Sequence, residues 1–237
     1  MEEQKLNINL AEGTQEVIIR NGDASNPIEL KGFDYNGIIT GPVDFLKSKL
    51  PTLNIPTCTI LIDREKRGIM LVINENSNLR SSVTGRLEFT EEFMKFKINT
   101  GSSWISRELG EFVKMNRVYF ETLDSANELS AKLLHFKAKV EKSKEQKDDK
   151  KGNMLDHVEQ IIHEINIPDK FNLEIPIFKG SKKTKIGIEV YINANDLSIT
   201  LISPDAAEII RKTRDEIIDE QKDQIREICK EIAIIEC

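Results

Sequence analysis

The stretch Ile167–Gly180 reads IPDKFNLEIPIFKG, and its apolar residues Phe171, Leu173 and Ile175 alternate as a half-buried strand requires. Two prolines interrupt it. Proline has no ladder donor, so within a sheet it is confined to strand starts, bulges and edges. The stretch therefore predicts a strand at a sheet edge, or one bulged at Pro176, with Ile177 and Phe178 continuing to a turn at Lys179-Gly180-Ser181. TKIGIEVYINA then places Ile186, Ile188, Val190 and Ile192 on one face, and LSITLI follows the turn between Asn193 and Asp196. Successive strands joined by short turns make an antiparallel meander.

Upstream, the N-terminal third also reads as strand. The runs are IIR ending at Arg20, IELKGF from Ile28, TCTILID from Thr57, GIMLVINE from Gly68 and SSVTGRLEF from Ser81. Asn21-Gly22-Asp23 and Asn36-Gly37 are expected turns, and Asp63 to Gly68 a charged hairpin connection. PVDFLKSKL spaces Val43, Leu46 and Leu50 as a short helix that Pro51 stops. Thr90 is a candidate N-cap before Glu91 and Glu92, with Phe93 and Phe96 turned to the core.

The middle is helical. Leu109, Phe112, Val113 and Tyr119 or Phe120 share a face from Ser106 to Phe120, with Trp104 as a staple ahead of it. Ser125 and Glu128 form a capping-box pattern, opening a helix through Leu129, Leu133, Phe136 and Val140. The run EKSKEQKDDKKGN that follows has no apolar residue and reads as a frayed helix end or linker, and Leu155 to Ile165 fits a helix better than a strand. Ser203-Pro204-Asp205 is a helix start, and no glycine or proline intervenes from there to Ile235. Ile218, Ile225, Ile228, Ile232 and Ile235 fall on three- and four-residue steps, with Gln221 in one seam position. That stripe predicts self-association into a homo-oligomer through a coiled-coil-like seam. Ile209, Ile210 and Ile217 offer a second face that would dock within the chain, and a helix packed wholly on its own fold is the competing reading.

The 237 residues are 39% hydrophobic and 31% charged with a net charge of -6, enough apolar content for one large core or two modest ones. Apolar runs such as Ile69 to Ile73 are too short to cross a bilayer, and MEEQKLNINL lacks a secretory pattern, so no membrane association and a cytoplasmic setting are expected. The three cysteines, Cys58, Cys229 and Cys237, lie in no CxxC spacing and are expected to be reduced thiols, with Cys58 buried in a strand.

No phosphate cradle, nucleophile elbow or HExxH occurs, and neither a cofactor nor a metal nor a catalytic residue is assigned. His157 and His163 are about 240° apart on a helix and cannot clamp one ion, whereas Glu159 and His163 share a face, the best place for chemistry should the chain be an enzyme of unrecognised type. His135 sits beside core positions and is expected partly buried. Lysines cluster twice, at Lys137, Lys139, Lys142, Lys144, Lys147, Lys150 and Lys151, and at Lys179, Lys182, Lys183 and Lys185. The second cluster is the candidate for binding single-stranded nucleic acid, although no aromatics interleave either cluster and a solvated helix end and a solvated hairpin turn are the preferred readings.

Two blocks carry a resemblance. WISRELGEFVKMN from Trp104 and IPDKFNLEIPIFKG from Ile167, followed in order by TKIGIEVYIN and LSITLI, look like the YfdQ-like family of uncharacterised phage and prophage proteins. A weaker likeness through TCTILID, IMLVINE and LEFTEEFMKF extends it over roughly residues 57–204. The resemblance implies a phage accessory protein in the cytoplasm of a bacterial host, would place any single-strand binding in phage replication or recombination, and supplies no catalytic or binding residue. The expectation is an α+β fold with mostly antiparallel sheets in its N-terminal and C-terminal parts: a mainly β part over 1–103, a helical middle with a Lys-rich linker over 104–152, a β-meander over 153–203, and a long helix over 204–237. These form one intimate unit or two. The expected function is that of a non-enzymatic, self-associating protein that binds a host or phage macromolecule.

Overall fold

The computed structural model describes residues 12–13, 31–146, 164–193 and 196–237, the stretch 137–146 by its backbone alone. The expected strand ending at Arg20, the turn at Asn21, and His157, Glu159 and His163 lie outside the described residues, as do residues 28–30 of the strand expected from Ile28, whose remainder is not strand, and residues 155–163 of the helix expected from Leu155, whose last two residues are helical.

In chain order the elements are β1 (Asp34–Ile38), α1 (Gly41–Lys49), β2 (Thr59–Asp63), β3 (Gly68–Ile73), β4 (Ser81–Arg86), α2 (Glu91–Lys95), β5 (Trp104–Ile105), α3 (Ser106–Met115), α4 (Leu123–Gln146), β6 (Lys170–Pro176), β7 (Lys183–Ile192), β8 (Ser198–Ile202), α5 (Ala206–Ile228) and β9 (Ala233–Glu236). The fold is α+β. A five-stranded sheet has the order β1-β4-β3-β2-β9, and a four-stranded sheet the order β5-β8-β7-β6.

The four-stranded sheet is antiparallel throughout, and β6, β7 and β8 form the meander. Pro176 closes β6, which is the edge strand, so the missing donor faces no partner in the ladder. The chain beyond that proline pairs elsewhere. Thr90 donates its backbone N–H to the Ile177 carbonyl at 2.9 Å, and Lys179 donates to Glu88 at 2.9 Å. Phe89 and Phe178 stack between them, 5.1 Å apart. This strip joins the meander to the segment that leaves β4.

The five-stranded sheet is antiparallel at its centre, within the mostly antiparallel expectation, and parallel at both edges. β2, β3 and β4 run antiparallel, but β1 lies parallel to β4 and β9 parallel to β2. Asn36 and Gly37, expected as a turn, are inside β1 opposite Thr84 and Gly85. Close packing decides this. A Cβ at Gly85 would sit 2.7 Å from both the Ile38 carbonyl oxygen and Pro42 Cδ, so the glycine in β4 lets β1 and the start of α1 approach.

Helix ends differ from the sequence expectation where a nearer capping group exists. α3 stops at Met115 rather than Phe120, because Asn116 turns its amide back to the Phe112 carbonyl at 2.8 Å. A 3-10 turn over Arg117–Tyr119 follows, and Phe120 then bridges to Leu173. α4 opens at Leu123, since the Thr122 hydroxyl accepts the Ser125 N–H at 3.2 Å; Ser125 is inside the helix rather than its cap. The expected cap of α2 holds, with the Thr90 hydroxyl accepting from the Phe93 N–H at 3.2 Å. α5 starts after Asp205, and Ser203 does not cap it: its backbone is held by both ends of the Asn99 amide, at 2.9 and 2.7 Å.

One contiguous cluster of buried apolar side chains runs through both sheets, from Ile60, Ile62, Ile69 and Leu71 to Leu173, Ile175, Ile186 and Leu201. Phe96 lies at its centre, fully buried, with the rings of Phe112, Tyr119 and Phe120 at 5.0, 6.4 and 6.2 Å. The segments 1–103, 104–152, 153–203 and 204–237 thus contribute described residues to a shared core.

Candidate functional site

The isoleucines expected as an oligomer seam do not share one exposed stripe on this chain. Ile218 and Ile225 are fully buried within the chain's own core, and Gln221 between them is 5% exposed. Ile228 is half-buried against the same cluster. The helix ends there, and the residues after it turn back to become β9, which puts Ile232 into the core and leaves Ile235 half exposed off the helix altogether. The length argument for a free distal helix fails for that reason: α5 stops at Ile228, and the residues after it pair with β2 as β9.

The lysines of the meander hairpin are brought together in part. Lys179 pairs with Glu88 at 2.6 Å, and Lys185 with Glu121 at 2.5 Å. Each ammonium holds its partner carboxyl below the usual range, with Asn172 adding a hydrogen bond to Glu121, and Glu88 in turn raises Lys179. Lys183 donates to the Val118 carbonyl at 3.3 Å and lies 5.9 Å from the Tyr119 ring. Lys182 is exposed at the turn. The sequence shows a run of cations without an acid; the fold supplies the acids from 64 and 91 residues away.

The outer face of the four-stranded sheet has two halves. On one, Lys170 pairs with Glu189 at 2.8 Å, beside Asn172, Glu174 and Lys185. On the other, the register sets Tyr191 across from Thr200 and Ile105 across from Ser198, while Ile202 at the end of β8 is across from Glu189, where the two halves meet. Tyr191 is 60% exposed, Ile105 55% and Ile202 38%. The alternation that buries Ile186, Ile188, Ile199 and Leu201 turns these residues outward, so the patch is rigidly backed. Trp104, next to Ile105, faces inward, 4.8 Å from the Phe112 ring and under the Lys97 ammonium at 4.2 Å.

A third constellation escaped sequence reasoning. Arg64, in the β2–β3 turn, reaches Asp219 at 2.7 Å, Asp215 at 3.3 Å and Glu236 at 3.2 Å. Lys222 also binds Glu236, and Arg214 binds Asp215 at 2.9 Å. Lys222 and then Arg64 pull the Glu236 carboxyl down to about 2, while Arg214, with Arg64 second, lowers Asp215. The only local signal was that Asp215 and Asp219 are four apart on one helix face. Their cation is more than 150 residues away in sequence.

His135 is exposed rather than partly buried, and lines an open cleft with Lys132 and Glu164. Cys58 is buried as expected, which pushes its thiol up, while Cys237 is exposed. Among the described residues no group of His, Cys, Asp and Glu is arranged to hold a metal ion, and no helix is long and apolar enough to cross a membrane. Comparison of the chain with protein-family models, with curated proteins and with solved structures returned no match.

Proposed function

We propose that the chain is a non-enzymatic phage or prophage accessory protein that acts by binding another macromolecule, with the outer face of the four-stranded sheet as its contact surface. The phage setting rests on the resemblance of the Trp104 and Ile167 blocks. The contact surface rests on one observation: Ile105, Tyr191 and Ile202 stand exposed on the same outer face of a sheet whose other face packs on the core. Apolar and aromatic side chains exposed on a rigid backing, bordered by charged ones, are the anatomy of a protein interface. A photo-crosslinking residue placed at Tyr191 in infected or lysogenic cells is expected to give an adduct of discrete mass, and one at Glu216 on α5 none. Equal labelling at both positions, or none at Tyr191, overturns the assignment.

Direct binding of single-stranded nucleic acid through Lys179, Lys182, Lys183 and Lys185 is the weaker reading, because Glu88 and Glu121 already neutralise two of the four cations. Filter retention of an oligonucleotide at low salt, falling steeply as salt rises and abolished by charge reversal at Lys182 and Lys183, would reverse that preference.

A further inference from the structure

The sequence from Ala206 to Cys237 contains neither glycine nor proline, and its isoleucines keep helical spacing through Ile225, Ile228, Ile232 and Ile235. The helix nevertheless ends at Ile228. Cys229 leaves it with φ -145° and ψ 99°, and no left-handed residue follows to terminate it. Helices commonly end on a left-handed glycine or asparagine, and that stop signal is missing here. What holds the following residues as a strand lies outside the segment itself. β9 pairs with one neighbour only, and Ala233, Ile235 and Glu236 remain exposed. Its fixed points are the burial of Ile232, the Cys237 N–H donating to the Ile62 carbonyl at 2.8 Å, and Glu236 clasped by Arg64 and Lys222.

The Glu236 clasp and a continued helix exclude each other. Lys222 is on α5 fourteen residues before Glu236, and fourteen residues of helix would separate them by about 21 Å along the axis. We propose that residues 229–237 are a two-state element: strand β9, latched by Glu236, and a helical continuation of α5. The helical state vacates the β2 edge and carries Ile228, Ile232 and Ile235 on one apolar stripe beyond the sheet, so it presents the seam that the strand state dismantles. Arg64 is the pivot, since the same guanidinium holds α5 through Asp215 and Asp219 and the strand through Glu236.

The test is the backbone carbon chemical shifts of Ile232, Ala233, Ile234 and Ile235 in the full chain, which distinguish strand from helix residue by residue. At low salt the unmodified protein is expected to give strand values. Glu236→Gln is expected to move all of these residues to the helical side, and adding Lys230→Pro to remove the helical signal again. The shifts of β3 and β4 report whether the sheet survives. Should Glu236→Gln unfold it, the same residues of the unmodified protein are followed up to about 1 M salt, where screening falls to about 3 Å and the clasp weakens. Helical shifts under either perturbation carry the proposal; strand values that persist, or random-coil values, overturn it.

Discussion

Replacing Ile225 separates a packing role for α5 from a seam between copies. The side chain is fully buried, between Ile218 and Ile228 on the face turned to the sheet. Truncating a buried isoleucine to alanine removes transfer energy and leaves a cavity, together about 2–5 kcal/mol. With about 3.5 kcal/mol at this well-packed position, and about 2–4 °C of melting temperature per kcal/mol for a chain of this size, Ile225→Ala should melt about 7–14 °C lower. Ile235→Ala, half exposed on the edge strand, should lose about 1 kcal/mol and melt within about 2–4 °C of the parent. Ile225→Asp is the sharper form, because an unpaired carboxylate in the core costs several kcal/mol against a total stability of about 5–15 kcal/mol. It should lower the melting temperature well beyond the Ile225→Ala value. Circular dichroism with thermal and urea melts gives the stabilities, and sedimentation velocity on the same samples gives the assembly state. A Ile225→Asp protein with parental spectrum and melting temperature, but a smaller sedimentation coefficient, would refute the intramolecular packing.

Glu236 sets an acid limit on stability. Its folded carboxyl lies near 2 against an ordinary value of 4.5, so its contribution is complete above about 4.5 and is lost as pH falls towards 2; urea melts should show that decline, and Glu236→Gln should flatten it. The Thr90 hydroxyl accepts from the Phe93 N–H and donates to the Pro176 carbonyl at 2.6 Å, so Thr90→Ala should cost about 1–2 kcal/mol in denaturant unfolding, whereas a loss under about 0.3 kcal/mol would remove its role at the junction. Thiol labelling of the native protein should modify exposed Cys237 at once and buried Cys58 only after unfolding; fast reaction of Cys58 would contradict its burial.

The elements legible in the sequence are those whose causes are local. The meander was readable because Phe171, Leu173 and Ile175 alternate and because Pro176 tolerates only an edge, and the α2 cap because Thr90 is three residues from the N–H it accepts. The strands of the five-stranded sheet were readable from their β-branched runs, but not their order: the positions of β1 and β9 depend on parallel pairing across 48 and 174 residues, which leaves no turn chemistry to recognise. Caps were misplaced by a few residues where two candidates competed, Thr122 against Ser125, or where Asn99 took the backbone of the expected cap, Ser203.

The surface was less legible than the core, for a related reason. Burial imposes a period on the sequence, whereas an ion pair between distant elements imposes none, so the cations at Lys179 and Lys185 read as a free patch until Glu88 and Glu121 are set beside them. The isoleucine stripe shows the converse. Ile218 to Ile235 keep helical spacing throughout, yet the chain uses only the first part of it as helix, because Ile232 can be buried and Glu236 paired by turning back along β2. Periodicity states which residues must be covered. Whether the cover comes from the same chain or another is decided by long-range contacts such as Arg64 with Asp219 and Glu236, and a pattern confined to one segment contains no record of them.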